Sequence, residues 1–372
     1  MIAADRIFPN AEDITHLIDW FAVHGRTYPW SVVAESMPDP YVVWVSEVML
    51  QQTTVPAVLR RFQSWIDQFP DIESLADASQ DEVLRAWEGL GYYSRAKNMH
   101  SAAREVCRQY GSKLPSDTRM LRKLPGVGDY IASAVVSFAY GGQAVTIEAN
   151  GRRVIQRVKA AKTWKRSLER EFKTAAAENI PHGDMGRFNA ALMQFGQLIC
   201  LPRKPNCGDC PLLRRCLART KGVQDDIPVL SRMEVIKKTT DLALIMKGDD
   251  VWVKKRGPGI AAGLWGFPSL SELISPNKWR LCHRLDIHIH AYTKYKDELH
   301  PGVYRLADES EINAQTDMTK SSPSNKTVHE RMPNPTLEGR WADEEALNQL
   351  GMPTAHRLIA RNLYQYPKSS IM

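Results

Sequence analysis

Several features are missing from this sequence, and their absence narrows the classes of protein to which it can belong. The first ten residues, MIAADRIFPN, contain no apolar segment, so we expect no signal peptide. The longest apolar stretches, such as Tyr41–Leu50, are much shorter than a membrane span. No internal repeat is visible, and only six of the 372 residues are cysteine. We therefore expect a cytoplasmic protein with no membrane segment, large enough for two or three domains.

Alternating strand patterns are also absent from about residue 10 to residue 218, where apolar residues recur at helical spacing. Asp39-Pro40 is typical of a helix start, with an N-cap residue followed by proline at the first helical position. Pro56 predicts that this first segment ends or kinks. Further amphipathic runs predict helices at Gln80–Glu88, Arg95–Tyr110, Tyr130–Ala139, Asn150–Val158, Leu168–Glu178 and Phe188–Leu198.

The pattern changes after residue 220. Asp241–Met246 and Val251–Lys255 predict two strands around a turn, and Ala355–Tyr366 predicts a closing helix. The polar residues 307–336 predict a mobile loop. The sequence therefore predicts an all-α region at 1–198, a cysteine-containing loop at 199–218, a linker at 219–237 and an α+β domain at 238–372.

The charge balance favours a polyanionic partner. The formal net charge is +7 and the sequence pI is about 9.0. Basic residues concentrate in two runs, Arg152–Lys173 and Arg203–Lys221. Either run could simply be a solvated face, but both flank the motifs described next, which favours contact with phosphates.

Four of the six cysteines fall within seventeen residues, in the pattern Cys200-x6-Cys207-x2-Cys210-x5-Cys216. Such clustering indicates a metal site, since disulfides are rare inside cells. Four thiolates in one loop can hold either a 4Fe–4S cluster or a zinc ion. Spacing alone leaves the two metals open.

Two further segments suggest chemistry. Leu124-Pro125-Gly126-Val127-Gly128-Asp129-Tyr130 predicts a tight hairpin between helices, whose backbone N–H groups can cradle a phosphate, although such a turn also occurs as plain helix packing. Glu47 lies among apolar residues in WVSEVMLQQT. Burial there would raise its pKa and let it serve as a general acid, although it could instead be a surface glutamate.

These segments together closely resemble the adenine DNA glycosylases, a family of the helix–hairpin–helix superfamily that includes endonuclease III. The resemblance implies a helix–hairpin–helix catalytic region, a 4Fe–4S cluster on the four cysteines, and a Nudix-like C-terminal domain without hydrolase activity. It implies hydrolysis of the bond between deoxyribose and an adenine mispaired with 8-oxoguanine or guanine, with Glu47 protonating N7. Tyr130 stands where lyases of the superfamily have lysine, so no Schiff base is expected.

The resemblance also assigns DNA contacts. Gln52 resembles the residue that wedges into the base stack, and Tyr92 the tyrosine that inserts beside 8-oxoguanine. Tyr292, Thr293 and Lys294 align with the segment that senses the damaged base. The implied partner is double-stranded DNA bound by a monomer, associated with a bacterial nucleoid. The remaining expected DNA contacts are the pocket segment with Arg26 and Trp30, the hairpin residues Gly126, Val127 and Gly128, and the cluster-loop cations Arg214 and Arg215.

The sequence departs from the family at three places. Glu148 replaces the second catalytic carboxylate, an aspartate, while Asn150 beside it is retained. Ser31 and Lys294 replace an arginine and a histidine. The extra methylene of Glu148 moves the carboxylate by about one bond length, and an error of about 1 Å can cost roughly a hundredfold in rate. A glycosylase for mismatched thymine and a non-catalytic DNA-binding protein therefore stay open as alternatives.

Overall fold

The structure of the protein is a computed structural model that describes residues 7–31, 37–229, 234–273, 278–292, 294–306 and 339–366. Thr293 and the polar segment 307–336, predicted as a loop, lie outside these residues. Contacts divide the chain into two compact units. The first comprises Met1–Asp77 and Asn98–Arg232, and the second comprises Ala78–Lys97 and Met233–Met372.

Before residue 221 the described part of the chain forms helices joined by turns and loops, as its apolar spacing predicts. Each of the amphipathic runs named above forms a helix with nearly the predicted bounds. The helices are α1 (Ala11–His24), α2 (Pro40–Leu50), α3 (Val55–Gln68), α4 (Ile72–Asp77), α5 (Gln80–Ala86), α6 (Ser94–Tyr110), α7 (Thr118–Leu121), α8 (Asp129–Ala139), α9 (Ala149–Val158), α10 (Arg166–Asn179), α11 (Met185–Leu198) and α12 (Leu217–Thr220).

Local capping chemistry sets where several of these helices begin. The predicted start of α2 is confirmed, because an Oδ1 atom of Asp39 accepts a hydrogen bond of 2.7 Å from the backbone N–H of Tyr41. Pro56 falls in the first turn of α3, where its missing N–H does no harm, and α2 ends before it at Leu50. Asn10 and Asp13 form a reciprocal capping box at the start of α1.

One apolar cluster of the first unit fixes the helices that surround the candidate site. It joins α1, α9, α10 and α11 with the segment that leads into α9. Phe172, Phe188 and Phe195 are almost fully buried there. This packing holds the N-terminus of α9 against α11, and both elements supply residues to the cleft described below.

The second unit contains a mixed sheet, so the expected α+β character of the C-terminal region is confirmed. Its strands lie in the order β3-β2-β1-β6-β4, while β5 pairs with β6 and β7 with β2. β1 and β6 are parallel, and the remaining pairs are antiparallel. The strands are β1 (Ile236–Lys247), β2 (Asp250–Lys255), β3 (Trp265–Gly266), β4 (Trp279–Arg284), β5 (His288–Tyr292), β6 (Tyr295–Leu306) and β7 (Gly339–Ala342), with helices α13 (Glu344–Gln349) and α14 (Thr354–Leu363).

Apolar side chains on β1 alternate between the two faces of this sheet. Leu242 and Leu244 pack with Ile359 of α14, whereas Ala243 and Ile245 pack with Trp252 on the other face. Both faces of β1 are therefore covered, as a continuous apolar run requires.

The segment Ala78–Lys97 belongs to the second unit, although the sequence predicted it as part of the helical region. Buried Arg357 of α14 explains this grouping, since its guanidinium donates to both carboxylate oxygens of Glu88 at 3.1–3.2 Å. The Tyr93 hydroxyl also donates to the backbone oxygen of Met352. Among the helices of the described ranges, none has the length and apolar character that a membrane span requires.

Candidate active site

A cleft of about 790 Å³ in the first unit brings together all four residues predicted for catalysis, which are Glu47, Tyr130, Glu148 and Asn150. The end of α2, the turn before α3, the start of α9 and one face of α11 form its walls. The sequence-predicted residues that line it are Arg26, Trp30, Glu47, Gln52, Tyr130, Glu148 and Asn150.

Glu47 is 5% exposed, so its interpretation as a surface glutamate is wrong. Burial raises its pKa to about 7, and the nearby negative charge of Glu148 adds to this effect. A hydrogen bond of 2.7 Å, donated by the Tyr130 hydroxyl to Oε2, acts in the opposite direction. The carboxyl group can therefore hold a proton near neutral pH and give it up to an acceptor in the cleft.

Tyr130 stays a proton donor under these conditions. Its pKa is well above the ordinary value, first because of burial and then because of the adjacent Glu47 carboxylate. The phenol lies in the first turn of α8, directly after the hairpin. Because the phenol keeps its proton, it can hold the Glu47 carboxyl group in place through its hydrogen bond. Tyr130 has no amine with which to form a Schiff base.

Glu148 is the N-cap of α9 as well as a wall of the cleft. One carboxylate oxygen accepts hydrogen bonds from the Asn150 backbone and side-chain N–H groups at 2.6 and 2.9 Å. The other oxygen accepts from the Gly151 backbone N–H at 2.8 Å. Burial nevertheless raises the pKa of Glu148, while these bonds oppose that rise. The cap fixes the carboxylate at the helix N-terminus, where negative charge is favoured.

A chain of hydrogen bonds runs from Glu148 to the cysteine loop. Asn150 Oδ1 accepts from Arg153 Nη2 at 2.8 Å, and Arg153 Nε donates to the backbone oxygen of Cys200 at 2.8 Å. Arg153 Nη2 also donates to the backbone oxygen of Gly196. Because buried Arg153 makes these three bonds, it links the position of the carboxylate to the fold of the loop.

The four cysteines of that loop line one small hollow, together with Arg157 and Ile199. Arg157 is 1% exposed, and its Nη1 lies 3.4 Å from the sulfur of Cys200. Burial raises the pKa of the Cys200, Cys210 and Cys216 thiols. Within the described residues, no group of three or more His, Cys, Asp or Glu side chains has an arrangement that could hold a metal ion.

The two neighbouring arginines of the loop occupy different environments. Arg214 is exposed, whereas Arg215 Nη2 forms an ion pair of 3.0 Å with Oδ2 of Asp13, a carboxylate that is 1% exposed. Burial raises the pKa of Asp13, and Arg215 opposes this effect. Arg215 therefore stabilises the fold by forming an ion pair with a buried carboxylate. Of the two arginines, only Arg214 is an exposed cation.

The hairpin before α8 has the backbone that its glycines predict. Gly126 has a φ of 75°, and a Cβ there would lie 2.7 Å from Cβ of Asn98. A Cβ on Gly128 would meet nothing within 4 Å, so this residue faces open space. Val127 differs from both, because its side chain is buried and its N–H donates to the backbone oxygen of Leu124.

Gln52 and Tyr92 share an uncommon backbone conformation. Their φ angles are 56° and 45°, in the left-handed region that few residues other than glycine adopt. Gln52 is exposed at the cleft of the first unit. Tyr92, in the second unit, is 37% exposed, and its ring lies under the guanidinium of Arg95. Strain of this kind concentrates at functional positions.

The predicted lesion-sensing segment lies at the junction of β5 and β6. Tyr292 and Tyr295 pair across the two strands, and the Tyr292 hydroxyl lies 3.5 Å from Oδ2 of buried Asp297. Lys294 is exposed, with its Nζ over the Tyr295 ring. Thr293 is outside the described residues.

The structure also shows positioning residues that the sequence did not reveal. The side-chain amide of Gln194 accepts from the N–H of Arg26 and donates at 2.8 Å to its backbone oxygen. Fully buried Asn189 bonds Thr146 and Ala144 in the segment that precedes Glu148. Polar residues on the apolar face of α11 were the available signal, since a buried amide requires partners. Ser31 holds a turn, because its Oγ accepts from the N–H of Tyr28.

Comparison with known proteins gives one family. Residues 45–178 match the model of the HhH-GPD superfamily base excision DNA repair proteins. Adenine DNA glycosylase of Homo sapiens is 34% identical over 237 residues, or 61% of this chain and 43% of that protein. Adenine DNA glycosylase of Buchnera aphidicola subsp. Baizongia pistaciae is 31% identical over 256 residues, or 68% of this chain and 72% of that protein. The chain thus matches less than half of the human protein but most of the Buchnera protein.

The helical fold also has a solved relative. The structure of a thermostable thymine-DNA glycosylase matches 56% of this chain and 95% of that chain, with a TM-score of 0.51 and 27% identity. The helix–hairpin–helix architecture expected for the first part of the chain is therefore confirmed.

Proposed function

Because this chain belongs to the adenine DNA glycosylase family, we propose that it is a monofunctional DNA glycosylase of base excision repair. It hydrolyses the N-glycosidic bond of adenine mispaired with 8-oxoguanine or guanine. The observation that carries the proposal is the buried Glu47 carboxyl group, whose pKa of about 7 and position at the cleft suit it to protonate a leaving base.

Glu47, Glu148 and Asn150 of the cleft have different roles in the reaction. Glu47 gives its proton to N7 of an adenine that has rotated out of the duplex, which makes the base a neutral leaving group. As the bond between C1′ and N9 breaks, the Glu148 carboxylate stabilises the positive charge that develops on the sugar. A water oxygen then bonds to C1′ and releases a proton, leaving an abasic site. Asn150 keeps the Glu148 carboxylate in place.

Double-stranded DNA is the substrate, bound by a monomer in the cytoplasm of a bacterial cell. In this proposal the backbone around Gly128 and the N-terminus of α8 hold a phosphate, and Arg214 contacts the DNA backbone. Gln52 fills the space in the stack that the extruded base leaves. Arg26 and Trp30 line the pocket that receives adenine. Val127 contributes by packing the hairpin, and Arg215 by holding Arg214's loop against Asp13.

The second unit reads the base opposite adenine. Tyr92 inserts beside 8-oxoguanine, and Tyr292, Thr293 and Lys294 contact the damaged base. The domain is Nudix-like in this proposal, but the acidic helix that holds Mg²⁺ in Nudix hydrolases has no counterpart in the sequence after Pro268. Its role is therefore recognition.

We assign a 4Fe–4S cluster to Cys200, Cys207, Cys210 and Cys216. All four cysteines line the same hollow, and the buried Arg157 guanidinium beside Cys200 favours a thiolate there. We choose iron over zinc because the spacing of the four cysteines resembles that of the cluster loop in the endonuclease III and adenine glycosylase family. When bound, the cluster closes the loop that carries Arg214 and Arg215.

The decisive experiment compares duplexes that contain A opposite 8-oxoguanine, A opposite guanine, and T opposite guanine. Single-turnover reactions are treated with alkali to cut abasic sites. Cleavage at adenine in the first two duplexes is expected. Cleavage only at thymine would support the mismatch-thymine alternative, for which the structural similarity to a thymine-DNA glycosylase is the supporting observation. Binding without cleavage of any duplex would support the non-catalytic alternative.

A further inference from the structure

A basic groove of about 560 Å³ adjoins the cleft in the first unit, and the cations of α10 that line it have no part in the chemistry above. The groove and the cleft share Tyr130, Ile147 and Arg152 as lining residues. At its other end the groove shares Ser133, Val145 and Lys173 with a further hollow of about 440 Å³. A continuous furrow therefore leads away from the catalytic carboxyl groups along α10.

The cations of this furrow lie on one face of α10. Arg166, Arg170 and Lys173 follow a spacing of four and then three residues, which places them in one row on a helix. At 1.5 Å per residue the row extends over about 10 Å. Because a DNA strand winds around its axis, adjacent phosphates of one strand lie farther apart than the rise of about 3.4 Å between them, and the row spans about two of them.

The two acids of the groove are already neutralised. Asp129 pairs with Arg122 at 2.8 Å, and Glu169 pairs with Lys173 at 2.9 Å. Within the described parts of the chain, no carboxylate forms an ion pair with Arg152, Arg166 or Arg170. These three guanidinium groups are exposed and present a positive potential to whatever enters the groove.

Arg152 is fixed at the junction between the cleft and the groove. Its guanidinium lies over the Trp164 ring, 5.3 Å from the ring centroid. The indole Nε1 of Trp164 in turn donates a hydrogen bond of 3.1 Å to Glu169, the same carboxylate that holds Lys173. Trp164 and Glu169 thus orient one cation at each side of the groove.

We infer that this α10 groove binds the sugar–phosphate backbone that flanks the extruded nucleotide, with Arg152 at the first phosphate and Arg166 and Arg170 at the following ones. The inference rests on the proposed function, because it takes the extruded nucleotide to occupy the cleft and gives the path of the same DNA strand outside the cleft. The groove contacts the backbone on one side of the mispair only, because it leads away from the cleft in one direction.

The test is the salt dependence of duplex binding by full-length protein. Arg166→Ala combined with Arg170→Ala should reduce the slope of log Kd against log salt by about 1.8, at about 0.9 per phosphate contact. A charge reversal, Arg170→Glu, should weaken binding further than Arg170→Ala. The control combines Arg108→Ala with Lys113→Ala, which removes two exposed cations outside the cleft and the groove, of which Arg108 is paired with Glu105 at 2.6 Å.

Two probes localise the effect. Both probes are duplexes with the mispair near one end, so each has flanking base pairs on one side of the mispair only. In the first probe these base pairs lie on one side of the mispair, and in the second they lie on the other side. The groove variant should lose affinity for one probe and bind the other like the parent. Equal losses on both probes, or a slope equal to that of the control variant, would overturn the inference. A one-sided loss in a protein that excises no adenine would reject the proposed function and keep the groove.

Discussion

Tyr130 donates a hydrogen bond of 2.7 Å to Oε2 of Glu47, although the two residues are 83 positions apart in the chain. The phenol belongs to the helix that follows the hairpin, and the carboxyl group belongs to α2. The hairpin that is expected to hold the DNA backbone is therefore linked directly to the group that is expected to protonate the base.

Glu47→Gln should abolish adenine excision while leaving duplex binding almost intact. The amide can still accept the bond from Tyr130, but it cannot donate an acidic proton to the leaving base. Single-turnover excision and binding should be measured on the same duplex. Excision at the parent rate would show that another group is the acid.

The same variant should change how stability depends on pH. Burial raises the pKa of Glu47 from 4.5 to about 7, so the folded state holds the proton over a range in which the unfolded state has lost it. Stability is then fully present below about pH 4.5 and falls as the pH rises through about 7. Glu47→Gln lacks this fall, so its free energy of unfolding should gain about 2 kcal/mol on the parent between about pH 5 and about pH 8. Urea unfolding at the two pH values measures the gain, and a constant difference would contradict it.

Tyr130→Phe should move the pH dependence of excision upward. The hydrogen bond from Tyr130 stabilises the charged form of Glu47, so its loss raises the pKa of that carboxyl group further. The single-turnover rate, which falls as Glu47 loses its proton, should then persist to higher pH than in the parent. Neither protein should give a borohydride-trapped adduct at this position. An unchanged pH profile would mean that Tyr130 has no influence on the acid.

Glu148→Asp and Glu148→Ala should separate capping from catalysis. Aspartate can still cap α9, whereas alanine should cost about 1 kcal/mol of stability through the lost cap. We expect Glu148→Asp to raise the single-turnover rate, because the shorter side chain brings the carboxylate closer to the position that the family uses. We expect Glu148→Ala to lose at least roughly a hundredfold. An alanine variant as fast as the parent would exclude a catalytic part for this carboxylate.

Arg214→Ala should weaken the salt dependence of DNA binding, whereas Arg215→Ala should lower the stability of the fold. Loss of exposed Arg214 should reduce the salt slope of DNA binding by about 0.9 and leave stability unchanged. Loss of Arg215 should cost about 3 kcal/mol, because it leaves the buried carboxylate of Asp13 without its cation. Thermal unfolding and salt titrations of both variants check this assignment. A destabilised Arg214 variant, or a fully stable Arg215 variant, would reverse it.

The purified protein should be brown, with broad absorbance near 400 nm and about four irons per chain. The hydrogen bonds of Arg153 give a second prediction for the cluster. In the variant Arg153→Lys, the lysine cannot form hydrogen bonds with Asn150, Gly196 and Cys200 at the same time, as Arg153 does. This variant should lose iron and excision rate in parallel. Colourless protein with one zinc per chain would overturn the cluster assignment. Full iron content with a normal rate would show that the bonds from Glu148 to the loop are not needed.

The secondary structure of the helical region follows from the sequence because its signals are local. The start of α2 depends on Asp39 and Pro40, and the turn before α8 depends on Gly126. Capping residues and positive-φ glycines act on backbone groups a few positions away, so a linear pattern contains them. The four cysteines are equally local, since one short loop supplies them all.

What the sequence could not decide is which of two similar residues takes part in a long-range contact. Arg214 and Arg215 have the same chemistry, and only the packing of α1 gives Asp13 to one of them. The same holds for Glu88, which pairs with Arg357 across 269 positions and draws Ala78–Lys97 into the second unit. The high pKa of Glu47 needed an apolar neighbourhood, which the sequence indicated, but its bond to Tyr130 came from the packing of α2 on α8. Such pairs are fixed by the burial of whole helix faces, and a buried charge takes whichever partner that packing brings near.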